Sequence, residues 1–251
     1  MIVLDVKKHG LQYYDVWYAK EPFTQAGIVV YKSSEVPIGK NVHVKNTLIT
    51  DLTVSEEEII ATFSKNCRYE IRRAEREQID VTIKCGQEVS VRDIEEFTDY
   101  FLEFRRSKNF APLIRATVAE ELEHYRKHDA VAVSVAYCKG IPVVYHTYLI
   151  DESRVRLFQS ASLFRLEEEI SAKIIGMANR YLHREDILYF KRAGKTEYDW
   201  GGAGKTEEVA SITQFKESFG GTSHEFYDCR TCRGVKARIY ELLVKMRNSG
   251  K

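Results

Sequence analysis

The chain is poor in the residues that interrupt or staple a fold. Four prolines in 251 residues, with no Pro- or Ser-rich tract, leave nothing that reads as a flexible tether between domains. Five cysteines, at 67, 85, 138, 229 and 232, are odd in number and scattered, which excludes a disulfide framework and fits reduced thiols. No stretch of about 18 apolar residues exists, so no helix is predicted to cross a membrane. The opening MIVLDVKKHG has too short an apolar run, and no small-residue cleavage site, for a signal peptide. A cytoplasmic protein is expected. An excess of one charge is also missing: 38 basic against 37 acidic side chains leave +1, which excludes bulk attraction to DNA or to an anionic surface. Any anionic ligand must be held by a local cluster.

Several catalytic signatures are absent as well. There is no GxSxG elbow, and no cysteine stands in a motif with a His/Asn partner. Two GKT tripeptides, 194–196 and 204–206, lack the glycine a phosphate-cradling loop needs five positions earlier, where Tyr189 and Asp199 stand instead. Cys229 and Cys232 form a lone CxxC without a second ligand pair, so no metal site is expected.

What remains is an ordinary folded composition, 44% hydrophobic and 30% charged, with an informative order of elements. Residues 1–54 read as short β-branched and aromatic runs: Ile2–Val6, Tyr13–Tyr18, Gly27–Tyr31 and Thr47–Leu52. Ser55 with Glu58 is a capping box that opens a predicted helix with Ile60, Phe63, Cys67, Ile71 and Ala74 on one stripe and Lys65, Arg68, Arg72 and Arg76 beside it. A strand at Ile79–Cys85 and helices at Val91–Arg106 and Thr117–Lys127, the second capped by Thr117, follow. Three strands of hairpin spacing come next: Ala130–Tyr137, Ile141–Ile150 and Arg154–Ala161. A helix from about Leu166 to His183, a strand ending at Asp199–Trp200, a short helix carrying Phe215 and Lys216, a strand at Ser223–Cys229 and a helix at Val235–Met246 complete the chain. Three parts are expected: residues 1–54, 55–234 and 235–251. The order is α/β but not the alternation of a doubly wound parallel sheet.

The segments at 46–83, 140–149 (GIPVVYHTYL), 157–162 (LFQSAS), 198–204 (YDWGGAG) and 212–221 (ITQFKESFGG) carry a resemblance. In this order they resemble the GNAT acyltransferase superfamily, and in finer detail its Fem-type branch. Enzymes of that branch add amino acids to peptidoglycan precursor peptides, typically from aminoacyl-tRNA. The resemblance implies a GNAT-like mixed sheet flanked by helices in three α-β-α layers, with a reduced β-rich N-terminal GNAT-like part. It implies transfer of an acyl or aminoacyl group to an amine. The donor would be aminoacyl-tRNA or acyl-CoA as co-substrate, with no tightly bound cofactor. The partners would be a small-molecule or peptide amine acceptor and the acceptor end of a tRNA. The acyl-CoA loop R/Q-x-x-G-x-G/A is not matched, because the corresponding junction reads SASLFRLEEEIS with three consecutive glutamates. A non-catalytic GNAT-like ligand-binding or scaffolding module is the alternative.

Thr196–Gly221 concentrates the chemistry, with a carboxylate at a strand end, a glycine-rich turn, then Phe215 and Lys216 on a helix. The resemblance places Lys216 by the acyl end or terminal phosphate of the donor, and backbone N–H groups of Gln159, Ser160, Ala161 and Ser162 at its carbonyl. Lys216 otherwise reads as a surface lysine, and Asp199 as either a site carboxylate or a turn cap. Tyr145, His146 and Tyr148 alternate in face, so His146 and Tyr148 point together, with His146 a candidate base or a satisfied core histidine. Tyr69, Arg72 and Arg73 are candidates for an anionic part of a substrate. The stripe Ile239, Leu242, Leu243 and Met246 would dock on its own sheet or pair two copies.

Overall fold

A computed structural model describes residues 1–8, 10–162, 170–202 and 207–249. Ten strands and seven α-helices form among the described residues. The chain begins with β1 (Ile2–Lys8), β2 (Leu11–Trp17), β3 (Gly27–Ser34) and β4 (Val42–Asp51). Then come α1 (Glu56–Thr62), α2 (Lys65–Arg76), β5 (Ile79–Cys85), α3 (Val91–Ser107) and α4 (Arg115–Lys127). The meander is β6 (Val131–Cys138), β7 (Ile141–Ile150) and β8 (Arg154–Ser162). It is followed by α5 (Ala172–Arg192), β9 (Glu197–Gly202), α6 (Glu207–Glu217), β10 (Thr222–Arg233) and α7 (Val235–Ser249).

The chain divides into two compact units, one of Met1–Thr47 with Ser223–Lys251 and one of Leu48–Thr222. These limits differ from boundaries at 54/55 and 234/235, because β10 and α7 join the first fifty residues. A strand's partner in space leaves no mark in its own sequence. In the first unit β1 and β2 are antiparallel, β2 and β3 parallel, and β3 and β10 antiparallel. Val16, Val29, Tyr31 and Cys229 form one core cluster there, and Leu11, Ile28 and Ala237 another. Cys229 and Cys232 are free and lie an odd number of residues apart on β10, so they project to opposite faces.

In the second unit the strand order is β4-β9-β8-β7-β6-β5. The meander is antiparallel, and β8 pairs parallel with β9. The turn between β6 and β7 is Lys139–Gly140, both with positive φ, as a two-residue hairpin requires. Helices cover both faces. Tyr145 packs on Phe97 and Tyr100 of α3, while its neighbour His146 turns toward α5. That alternation gives three layers, the mixed α/β sheet expected from the sequence.

Three local expectations change. The helix beginning at Ser55 is two helices: Phe63 is extended, and Ser64 caps α2 by accepting from the Cys67 N–H. Arg68 holds the break by donating to the carbonyls of Ala61 and Phe63. Helix α4 starts at Arg115, two residues before Thr117, with no side-chain cap. Helix α5 is described from Ala172 and runs to Arg192. The expected start at Leu166, and Glu167–Glu169, lie outside the described residues.

The large core cluster of this unit joins Phe63 and Ile71 to Tyr148, Tyr198, Trp200 and Phe219. Phe63 meets Phe219 edge-on at 5.1 Å, and Trp200 lies 4.8 Å from Phe219. The turn after α6 must pass tightly by α1. A Cβ at Gly220, whose φ is +79°, would stand 2.5 Å from Thr62 Oγ1. Gly220→Ala is therefore expected to destabilise the protein by about 2 kcal/mol or more, from positive φ and overpacking together. A urea melt reads this as a lower midpoint at unchanged slope; an unchanged midpoint refutes it.

Candidate functional site

The parallel ladder between β8 and β9 is short. It holds three pairs, Arg154↔Glu197, Val155↔Tyr198 and Arg156↔Asp199. Beyond Arg156 and Asp199 no further pair forms among the described residues, although β8 continues to Ser162 and β9 to Gly202. The other edge of β8 changes at the same level. Tyr148 pairs with Leu157 and Thr147 with Gln159, so Phe158 is an extra residue, a β-bulge. A bulge bends its strand and re-aims the backbone beyond it. The ladder thus ends at Arg156–Asp199, the strands stay close as far as Leu157 and Gly201, and Gln159–Ser162 form the arm of a fork beyond them.

Two ion pairs close the fork. Arg154 Nε donates to Glu197 at 2.6 Å, and Arg156 binds Asp199 on the last ladder pair. Asp199 also accepts from the Gly201 N–H at 2.9 Å, so it caps the turn as well as pairing with Arg156. Gly201, with φ +70°, passes close to β8: a Cβ there would lie 2.8 Å from the Leu157 carbonyl oxygen and 3.9 Å from Lys216 Nζ.

Lys216 is not the surface lysine that an amphipathic helix suggested. It is only 8% exposed, and its ammonium donates to the Gly202 carbonyl at 2.8 Å. Burial, and next the Arg156 guanidinium, hold its pKa down to about 8, while Asp199 opposes them. Among the described residues, two cations and one carboxylate therefore lie together here, largely shielded from water. Phe215 beside it is fixed by the Arg180 guanidinium, 4.8 Å over its ring, and by His183 and Phe219, each at 5.5 Å.

A second polar group lies on the other face of the sheet. His146 Nδ1 donates to Asp186 at 2.8 Å, and its Nε2 lies 2.9 Å from Asn179. Tyr148 donates to the same Asp186 oxygen at 2.5 Å and meets the Tyr198 hydroxyl at 2.9 Å. That hydroxyl lies 3.0 Å from His183 Nδ1, and the two imidazoles stack at 4.0 Å. His146, Asp186, Tyr148, Tyr198 and His183 are buried, and Asn179 is half-buried. Burial drives the Tyr148 and Tyr198 hydroxyls well above their ordinary range and His183 well below its own. His146, His183 and Asp186 have ligand atoms within 4.8 Å of one another. Both His146 nitrogens are engaged in hydrogen bonds, whereas Asp186 Oδ1 is buried without a partner.

The structure brings Lys216 and Asp199 together, with Gln159–Ser162 on the fork's arm. His146 is not among them. Tyr148 and Tyr198 share its face, and Asp199, next to Tyr198, faces the other way. Tyr145 is buried against α3. Tyr69 is exposed with the Arg73 guanidinium 5.9 Å over its ring, and Arg72 is exposed beside them on α2. Of the two GKT lysines, Lys195 donates to the Asp151 and Glu152 carbonyls, and 204–206 lie outside the described residues.

Sequence reasoning missed Arg156, Asn179, His183, Asp186 and Tyr198. Asn179, His183 and Asp186 recur at i, i+4 and i+7 on an otherwise apolar helix face. Arg-Val-Arg at 154–156 is the charge complement of Glu-Tyr-Asp at 197–199. Both signals were present in the chain.

No protein-family model matches the sequence, and no curated protein matches it significantly. Solved structures do match. A crystal structure of FemX superposes with a TM-score of 0.58 at 12% identity over 78% of this chain. The fold of this chain is the fold of these structures, FemX among them. The C-terminal domain of a putative lysylphosphatidylglycerol synthetase from Agrobacterium fabrum gives 0.55 at 12% identity, over 86% of this chain and 71% of its own. A conserved protein of unknown function from Bacteroides thetaiotaomicron gives 0.55 at 10% identity, over 92% and 82%. The chain spans 63% of the FemX chain.

Two outcomes are expected at this site. Between about pH 8 and the ordinary lysine range, the unfolded chain holds a proton that folded Lys216 has released, so stability at this site rises with pH across that window. Melting temperatures from pH 7.5 to 9.5 should accordingly show the wild type gaining on Lys216→Met; a constant gap contradicts the lowered pKa. Tyr148→Phe removes a donor from buried Asp186 and should cost about 2–4 kcal/mol in chemical denaturation. A loss below about 0.5 kcal/mol would show that Asp186 does not need it.

Proposed function

We propose that the second unit is an N-acyltransferase moving an acyl or aminoacyl group from an activated donor, aminoacyl-tRNA or acyl-CoA, to an amine. The observation that carries this reading is the fork: the sheet opens between β8 and β9 beside a buried lysine. An unbroken ladder there would have suited a scaffolding module.

In the proposed reaction the neutral amine attacks the donor carbonyl, and a tetrahedral oxyanion forms. The donor lies in the fork with its carbonyl toward backbone N–H groups of Gln159–Ser162. Gln159 Oε1, buried without a hydrogen-bond partner, is available to a donor N–H of the bound group. The Lys216 ammonium stabilises the oxyanion and then protonates the departing thiol or ribose oxygen as the C–S or C–O bond breaks, and the proton lost by the attacking nitrogen recharges the Lys216 amine. A pKa of about 8 suits this, since the group is largely charged at neutral pH yet gives its proton up readily. Arg156 and Asp199 position that ammonium, and Phe215 walls the donor. His146, Tyr148 and Tyr145 act by holding β7, and Tyr69, Arg72 and Arg73 meet an anionic part of a substrate. One of the similar structures is named for a lysylated product, which supports an aminoacyl donor. The acceptor class is a small-molecule or peptide amine, a peptidoglycan precursor peptide among them, and the site of action is the cytoplasm.

Thermal shift against coenzyme A, acetyl-CoA and charged tRNA separates the donors. Stabilisation by coenzyme A alone assigns acyl-CoA, stabilisation by charged tRNA alone assigns the aminoacyl donor, and no response to any of them sinks the reading. With the donor known, Lys216→Ala should lower turnover roughly 10²-fold, the scale of one transition-state contact. Lys216→Arg should not restore it, because a planar guanidinium does not fit a site built for an ammonium. Full turnover in the alanine variant would remove Lys216 from the mechanism.

A further inference from the structure

Helix α7 presents an apolar face that nothing within its unit covers. Val235, Ile239, Leu242, Leu243 and Met246 are 52–75% exposed. At about 100° per residue they occupy an arc of roughly 100°. The opposite face makes the attachment. Ala237, diametrically across the helix from the centre of that arc, is buried with Leu11 and Ile28, and Tyr240 meets Tyr13 edge-on at 6.5 Å. The docking face is thus already in use, and the stripe points away from it.

The borders of the stripe identify its occupant. Lys236 flanks one side and Arg238 the other, both exposed. The helix's single acid, Glu241, is half-buried on the docking side. From this we infer that α7 is an interfacial helix that lays its apolar stripe into an anionic phospholipid surface, with basic side chains at headgroup level. A second copy of the chain fits poorly. A two-fold contact through the stripe would set basic flank against basic flank on both sides, with no acid to answer them. The net charge of +1 gives no general attraction to such a surface, so binding is a property of this helix. The inference is independent of the acyl-transfer reading.

Vesicle co-sedimentation of the full chain tests it, using equimolar phosphatidylglycerol and phosphatidylcholine against phosphatidylcholine alone. The expected result is binding to the anionic vesicles at least tenfold stronger than to the neutral ones, since each basic residue near such a surface contributes roughly fivefold. Half-molar salt should weaken it steeply. Leu242→Glu should reduce binding at least tenfold, and so should Lys236→Glu with Arg238→Glu, which leaves the stripe intact. Circular dichroism must show each variant folded, and the exposed positions make that the expected result. Three outcomes overturn the inference: no binding to anionic vesicles, equal binding to neutral ones, or a dimer by light scattering that Leu242→Glu dissolves.

Discussion

A single buried carboxylate holds the second unit in register. Asp186 on α5 takes hydrogen bonds from His146 and Tyr148 on β7, and Tyr148 reaches over β8 to Tyr198 on β9. The ladder from β8 to β9 is only three pairs long, so backbone hydrogen bonds alone would fix β9 weakly. The network makes up the difference on one face, and the ion pairs Arg154–Glu197 and Arg156–Asp199 do so at the ladder itself. A sheet can be opened near its middle only if something else ties the strands on either side. Here a buried polar network under α5 does that.

The same arrangement determines the state of Lys216. Its ammonium sits beside Gly201, shielded from water and next to a guanidinium. Such a position is unfavourable for a cation, and the protein tolerates it because Asp199 and the Gly202 carbonyl partly compensate. An anion arriving in the fork would complete the compensation.

Much of this was legible in the chain. The capping box at Ser55, the hairpin at Lys139–Gly140 and the alternation that turns His146 and Tyr148 together are local, and local rules are strong there. Lys216 and Asp199 stood out through the glycine-rich turn between them. The break at Phe63–Ser64 was hidden because both short helices continue one apolar stripe, and only the contact of Phe63 with Phe219, far along the chain, requires the kink. Asn179, His183 and Asp186 were read past for a similar reason. Polar residues inside an apolar helix face gain meaning only once partners on other strands are known.

By itself the sequence determined the kinds and order of the elements, since periodicity, caps and turn residues act over a few positions at a time. It also determined the amphipathic character of α7, whose spacing alone separates an apolar arc from basic flanks. Only the tertiary structure decided that β8 and β9 part after Arg156, that β10 and α7 join the first fifty residues, and that Lys216 is buried rather than solvated. Each of these rests on a pairing or exclusion between residues distant in the chain. Burial is a property of the space a side chain enters, and no residue specifies that space alone.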